Sequence, residues 1–77
     1  MKSLVHNPIL REQVREHILS AFIFETEEEK THAYNMISLE MVNMQYNTKG
    51  KLYYKNKSIR DYRKFIIEVI YPKIKQE

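Results

Sequence analysis

The residues that could do chemistry are concentrated in one stretch. Residues 49 to 64 hold Lys49, Lys51, Lys55, Lys57, Arg60, Arg63 and Lys64 against a single acid, Asp61, with Tyr53, Tyr54 and Tyr62 interleaved. Lysine and arginine neutralise phosphates and release counterions, and tyrosine stacks on an unpaired base. Lys51, Tyr53, Tyr54, Lys55, Lys57, Arg60, Arg63 and Lys64 are therefore the candidate contacts to nucleic acid or to a nucleic-acid-handling partner. On a helix, at ~100° per residue, Arg60, Arg63 and Lys64 share an arc of about 100° beside the apolar face of Ile59, Tyr62, Ile66 and Ile70. Such a helix packs on a core while presenting a basic edge near its N-terminus, the end with which helix-turn-helix recognition helices approach DNA. The segment from Asn47 to Lys57 is about three times the 3–4-residue turn of that motif, which weighs against sequence-specific DNA reading. The competing readings are a solvated basic loop, or cations paired with acidic helix starts within the chain or across a homodimer.

Catalysis and metal binding find no comparable constellation. His6, His17 and His32 lack the H-E-x-x-H spacing that sets two imidazoles and a base on one helix face. Glu28 with His32, and Glu25 with Glu29, stand four residues apart, but a structural metal site recruits three or four ligands. These acids read instead as the solvated start of a helix, where negative charge meets the positive end of the dipole. No serine sits in a G-x-S-x-G elbow, and the absence of cysteine removes thiol chemistry. Gly50 is the only glycine, too few for a loop that cradles phosphates. A 77-residue chain also has little room for a pocket of the usual few hundred Å³. The expectation is a non-enzymatic protein with no metal, no cofactor and no small-molecule substrate.

Three helices are expected to position these groups. Asn7-Pro8 reads as an N-cap followed by proline at the first helical position, and Leu10, Val14, Ile18 and Phe22 recur every four residues, giving a helix over about 8–24. Thr26 with Glu29 forms a capping-box pattern for a second helix over about 27–46. Its apolar residues Tyr34, Ile37, Met41 and Met44 make a heptad-like seam, read either as core or as a dimer or partner seam. Gly50 reads as a helix stop. Ser58, with Asp61 three residues on, caps a third helix over about 59–71 that Pro72 stops or bends. Residues 65 to 71 are β-branched and aromatic enough to compete as a strand, but the cap and periodicity favour helix. The expected fold over 1–77 is a single all-α, three-helix domain with a basic loop between helices 2 and 3. A winged-helix-like variant with a short hairpin near Leu52-Tyr54 is the alternative.

Charge divides along the chain. Residues 1 to 48 carry four basic and seven acidic side chains, a net of −3, and residues 49 to 77 carry nine and three, a net of +6. The acidic half is accounted for by capping; the basic half is not. The longest apolar run, Ala21 to Phe24, is far below the ~20 residues of a membrane span. The N-terminus lacks a signal-peptide pattern, so the expected location is cytoplasmic. The segment from Pro8-Ile9-Leu10-Arg11-Glu12 through Met36-Ile37-Ser38-Leu39-Glu40 to Met44 is faintly similar to a stalk segment of dynamin-family GTPases. Asn56-Lys57-Ser58-Ile59-Arg60-Asp61 is likewise similar to a piece of that family's effector region. The resemblance implies helical self-assembly, but its few identities assign no family. The composition, low in Gly and rich in Asn, Lys, Ile and Tyr, suits a small protein of a virus or mobile element. The functional expectation is a small binding protein that regulates or inhibits a macromolecular partner by occupying its surface, as a homodimer. The alternatives are a nucleic-acid-binding regulator using residues 49–64, or a small structural or assembly subunit.

Overall fold

The computed structural model describes residues 2–75. The chain runs β1 (Lys2–Ser3), a 3-10 turn (Leu4–His6), α1 (Pro8–Leu19), α2 (Glu27–Glu40), a second 3-10 turn (Met41–Asn43), then β2 (Met44–Tyr46), β3 (Leu52–Tyr54) and β4 (Lys57–Ser58). A C-terminal helix follows over 62–75, built of α3 (Tyr62–Phe65), a π-helical stretch (Ile66–Ile70) and α4 (Tyr71–Lys75). The four strands form one antiparallel sheet in the order β1-β2-β3-β4. The fold is thus mixed α/β, and the all-α expectation is corrected: the supposed loop between helices 2 and 3 is most of a sheet. Leu52–Tyr54 is the third strand of that sheet.

The helix starts follow their caps. Asn7 Oδ1 accepts from the Leu10 amide at 3.0 Å, and Thr26 Oγ1 accepts from the Glu29 amide at 3.1 Å. Glu29 Oε2 in turn accepts from the Glu25 amide at 3.1 Å, a close relative of the capping box. The third cap is corrected: Asp61, not Ser58, accepts from the Lys64 amide at 3.1 Å, and Ser58 lies in β4.

The helix ends depart from expectation for identifiable reasons. α1 stops at Leu19, where the Ser20 hydroxyl donates back to the His17 carbonyl at 2.6 Å. Four consecutive apolar residues, Ala21 to Phe24, do not fit one face of a continued helix, and the turn sends Phe22 inward and Ile23 to water. α2 stops at Glu40, but the spacing 34, 37, 41, 44 still carries Met44 inward, because one 3-10 turn and a strand start keep it on the buried side. At the C-terminus the helix runs through Pro72 to Lys75. Pro72 has no N–H to give the Glu68 carbonyl, and the preceding turn widens so that the Tyr71 amide donates to Ile66.

Two tight turns set the sheet. In the β2–β3 turn, Asn47 Oδ1 accepts from the Lys49 and Lys51 amides, both at 2.9 Å, and Gly50 adopts φ +79°. Gly50 therefore closes a hairpin rather than a helix; either role draws on the same left-handed backbone. Between β3 and β4, Lys55 (φ 48°) and Asn56 (φ 68°) form a two-residue turn with both residues left-handed.

The core lies between the helices and one sheet face. Leu4, Ile18, Ile37, Met41, Met44 and Ile70 are fully buried. Met44, Tyr46, Leu52 and Tyr54 alternate inward along β2 and β3, which leaves Gln45 and Tyr53 on the outer face. Among the described residues, no helix is long and apolar enough to cross a membrane.

Candidate nucleic-acid interface

The sheet and the start of the C-terminal helix distribute the basic residues over several surfaces. Lys49, Lys51, Lys55, Lys57, Arg60, Arg63 and Lys64 are all exposed. Lys49 and Lys51 stand at the β2–β3 turn and Lys55 at the β3–β4 turn, so they bracket the two ends of β3. Lys57, Arg60 and Lys64 converge. Together with Tyr54, Ile59, Phe65 and Val69 they line one groove of about 400 Å³ between β4 and the C-terminal helix, which also contains Asp61 and Glu68. Arg63 points elsewhere, into a separate groove of about 310 Å³ with Phe22, Ile67 and Tyr71. The helical arc drawn from sequence is therefore split: Arg60 precedes α3, and only Lys64 shares its groove.

The two hairpin tyrosines do different jobs. Tyr53 is partly exposed on the outer sheet face, in register between Gln45 of β2 and Ser58 of β4. Tyr54 faces inward, with its ring edge-on to Phe65 at 5.3 Å and its hydroxyl donating to Glu40 Oε2 at 2.6 Å. As a candidate for base stacking Tyr54 is corrected, because its ring is spent on the core.

Glu40 was not singled out by the sequence, yet it organises the polar groups behind this surface. It is buried, accepts from Tyr54 and from Asn43 Nδ2 (3.0 Å), and lies 3.7 Å from Lys73 Nζ. Burial pushes its carboxyl upward. The bonds from Tyr54 and Asn43 and the charges of Lys73 and Lys55 outweigh that, holding it below the usual carboxylate range. Burial, with the bond to the Glu40 carboxylate, pushes the Tyr54 phenol up to about 12. The only textual sign of Glu40 was a lone charge inside the apolar run from Met36 to Met44. A second unforeseen group, Arg15, is buried on α1, donates to Ser38 Oγ at 2.9 Å, pairs with Glu12, and lies 4.1 Å over the Tyr34 ring.

Of the two readings of the Tyr34, Ile37, Met41, Met44 stripe, core and seam, burial supports core for three residues. Ile37, Met41 and Met44 are 1%, 0% and 0% exposed within the chain's own core, whereas Tyr34 stays 36% exposed with the Arg15 guanidinium over its ring. α1, the C-terminal helix and the sheet already occupy the face that a second protomer would need.

Among the described residues the ion pairs are Glu12–Arg15 and Glu40–Lys73, and neither joins the acids at 25–29 to the basic segment. No group of three or more His, Asp or Glu among them is placed to hold a metal. His32 instead meets the Ile74 carbonyl at 2.8 Å, tying α2 to α4. The arrangement is a small sheet with lysines at its turns and a groove along its edge that holds three cations and two acids. No protein-family model, no curated protein and no solved structure matches the chain.

Proposed function

We propose that this chain is a non-enzymatic binding protein that regulates by occupying the backbone of a nucleic acid. The observation that carries the reading is the convergence of Lys57, Arg60 and Lys64 on one groove, with no ion-pair partner among the described residues. Free cations at close spacing neutralise successive phosphates, and the resulting affinity is salt-dependent. Tyr53 on the outer sheet face adds a ring on which an unpaired base can stack. A cytoplasmic location goes with this reading. Burial of Ile37, Met41 and Met44 removes the support that a surface seam lent to a protein-partner reading.

The test is fluorescence anisotropy of labelled duplex and single-stranded oligonucleotides over a salt series. Three phosphate contacts give a log–log slope of about −2 to −3. Replacing Arg60 and Lys64 by Ala together lowers the magnitude of that slope by about 1.5 to 2. Absence of binding to both forms at low salt refutes the reading.

A further inference from the structure

The loop joining α1 to α2 carries the most exposed apolar side chain of the described residues. Ile23 is 97% exposed, between Phe22 and Phe24. Phe22 folds back and stacks on Tyr71, with centroids 6.1 Å apart and planes 14° from parallel. Two concavities open on either side of this stacked pair, both lined by Ala21, Phe22 and Tyr71. One, of about 310 Å³, is completed by Arg63, Ile66 and Ile67; the other, of about 560 Å³, takes in Ile23, Phe24, Ile74 and Lys75. Ile67 and Tyr71 are themselves 60% and 44% exposed. Exposed apolar side chains gathered beside grooves mark a contact surface more often than scattered ones do.

We propose that a second copy of this chain covers it, in a two-fold dimer in which Ile23 of each protomer enters the Ile67–Tyr71 groove of the other. Two observations select this occupant. The patch holds a protruding side chain and a receiving groove next to each other, joined by Phe22, which is what a self-complementary two-fold contact requires. Its charges are also complementary to themselves. Glu25, Glu27 and Glu28 follow the Ile23 loop, whereas Arg63 borders a groove on the C-terminal helix that holds no acid; Lys75 shares the larger concavity with Glu29 and His32. A two-fold axis through the Phe22–Tyr71 pair brings the acids of one protomer to the bases of the other. The same acids disfavour the other occupant of an apolar loop, an anionic lipid surface, through like-charge repulsion.

The proposal reassigns Arg63 from nucleic-acid contact to self-association, which separates it experimentally from the proposed function. Sedimentation equilibrium of the full chain, from low micromolar to near-millimolar concentration, should give a reversible monomer–dimer isotherm. Ile23→Asp should weaken it by roughly a hundredfold or more, because the symmetry repeats the loss. Arg63→Glu should weaken it by roughly tenfold or more at low salt and reverse its salt dependence, because added salt then screens a repulsion instead of an attraction. Neither variant should change the circular dichroism spectrum, since both positions are exposed. Arg63→Ala should leave the salt slope for oligonucleotides as in the wild type. A monomer at every concentration overturns the proposal, as does an isotherm unaffected by Ile23→Asp. Vesicle binding by a monomeric wild type, lost in Ile23→Asp, overturns it in favour of a membrane surface. Self-association without oligonucleotide binding leaves this proposal standing and removes the proposed function.

Discussion

Removing the charge of Glu40 should destabilise the protein by an amount that depends on pH in one direction. Its carboxylate accepts from Tyr54 at 2.6 Å and from Asn43 at 3.0 Å and lies 3.7 Å from Lys73. Hydrogen bonds to a charged group are worth about 1.5–3 kcal/mol each, and the partly exposed Lys73 pair adds at most about 1 kcal/mol. Dehydrating the carboxylate offsets part of this. Glu40→Ala, which leaves the Tyr54 hydroxyl and the Asn43 amide without their acceptor, should therefore cost about 2–4 kcal/mol. Glu40→Gln keeps an acceptor oxygen and loses the charge, at about 1–2 kcal/mol. In a chain of this size each kcal/mol moves Tm by about 4–8 °C, so both are measurable. The carboxyl is held below its ordinary value of 4.5 in the folded state, so its stabilisation is fully present above 4.5 and fades as pH falls through the lower folded value. Urea unfolding followed by circular dichroism should show the wild-type advantage over Glu40→Gln constant from neutral pH to about 5 and shrinking below that. A double-mutant cycle with Tyr54→Phe should give a coupling of about 1 kcal/mol or more. An advantage that persists unchanged to about pH 3, or a cycle additive within about 0.3 kcal/mol, would refute the Glu40–Tyr54 interaction.

Two further predictions concern the tyrosines and the second turn. Tyr54 and Tyr62 are both pushed up to about 12, primarily by burial, so ultraviolet titration should show a late-ionising pair among the six tyrosines. Raised phenol values stabilise the fold fully below 10 and lose that contribution as pH rises through about 12; Tyr54→Phe and Tyr62→Phe should each delete one late step. Concerted ionisation of all tyrosines near 10 in the folded state would count against both placements. At the β3–β4 turn, Asn56 adopts φ 68°, so Asn56→Gly should leave Tm level or higher, whereas Asn56→Val should cost about 1–2 kcal/mol. A harmless valine would mean the turn is not left-handed.

The starts of α1 and α2 and the apolar face of α2 were legible because each rests on local chemistry. Asn7-Pro8 and Thr26…Glu29 are self-contained signals whose hydrogen bonds span three or four residues. The inward set Ile37, Met41 and Met44 was legible as apolar surface, core or seam, and only the packing of α1, the sheet and the C-terminal helix decides for core. The sheet is legible only as the alternative hairpin near Leu52-Tyr54, for a matching reason. β1 and β4 are two residues each, and β1 pairs with β2 more than forty residues away, so no local period announces them. From sequence Asn47-Thr48-Lys49-Gly50 reads as a helix exit, because a helix stop and a hairpin turn both draw on a left-handed glycine. At the candidate site, residue types were legible and directions were not. Tyr53 and Tyr54 are adjacent and chemically identical, and strand alternation alone sends one outward and the other to Glu40.

Geometry also decides whether the small net charge of +3 is a fair measure of what a polyanion meets. The acids at 27–29 open α2, and the sheet follows its far end after one 3-10 turn. A helix of 14 residues is about 21 Å long, more than twice the ~8 Å over which charges are felt at physiological ionic strength. The acids therefore screen poorly the cations bracketing β3, and the one buried acid near them, Glu40, is already engaged by Tyr54, Asn43 and Lys73. Arg63 and Lys75 are the exceptions: the groove of Arg63 includes Ala21 and Phe22 of the loop that leads into those acids, and the concavity of Lys75 includes Glu29. The cations assigned to nucleic acid line a groove without these acids, and the two placed beside the acidic end border the surface assigned to self-association.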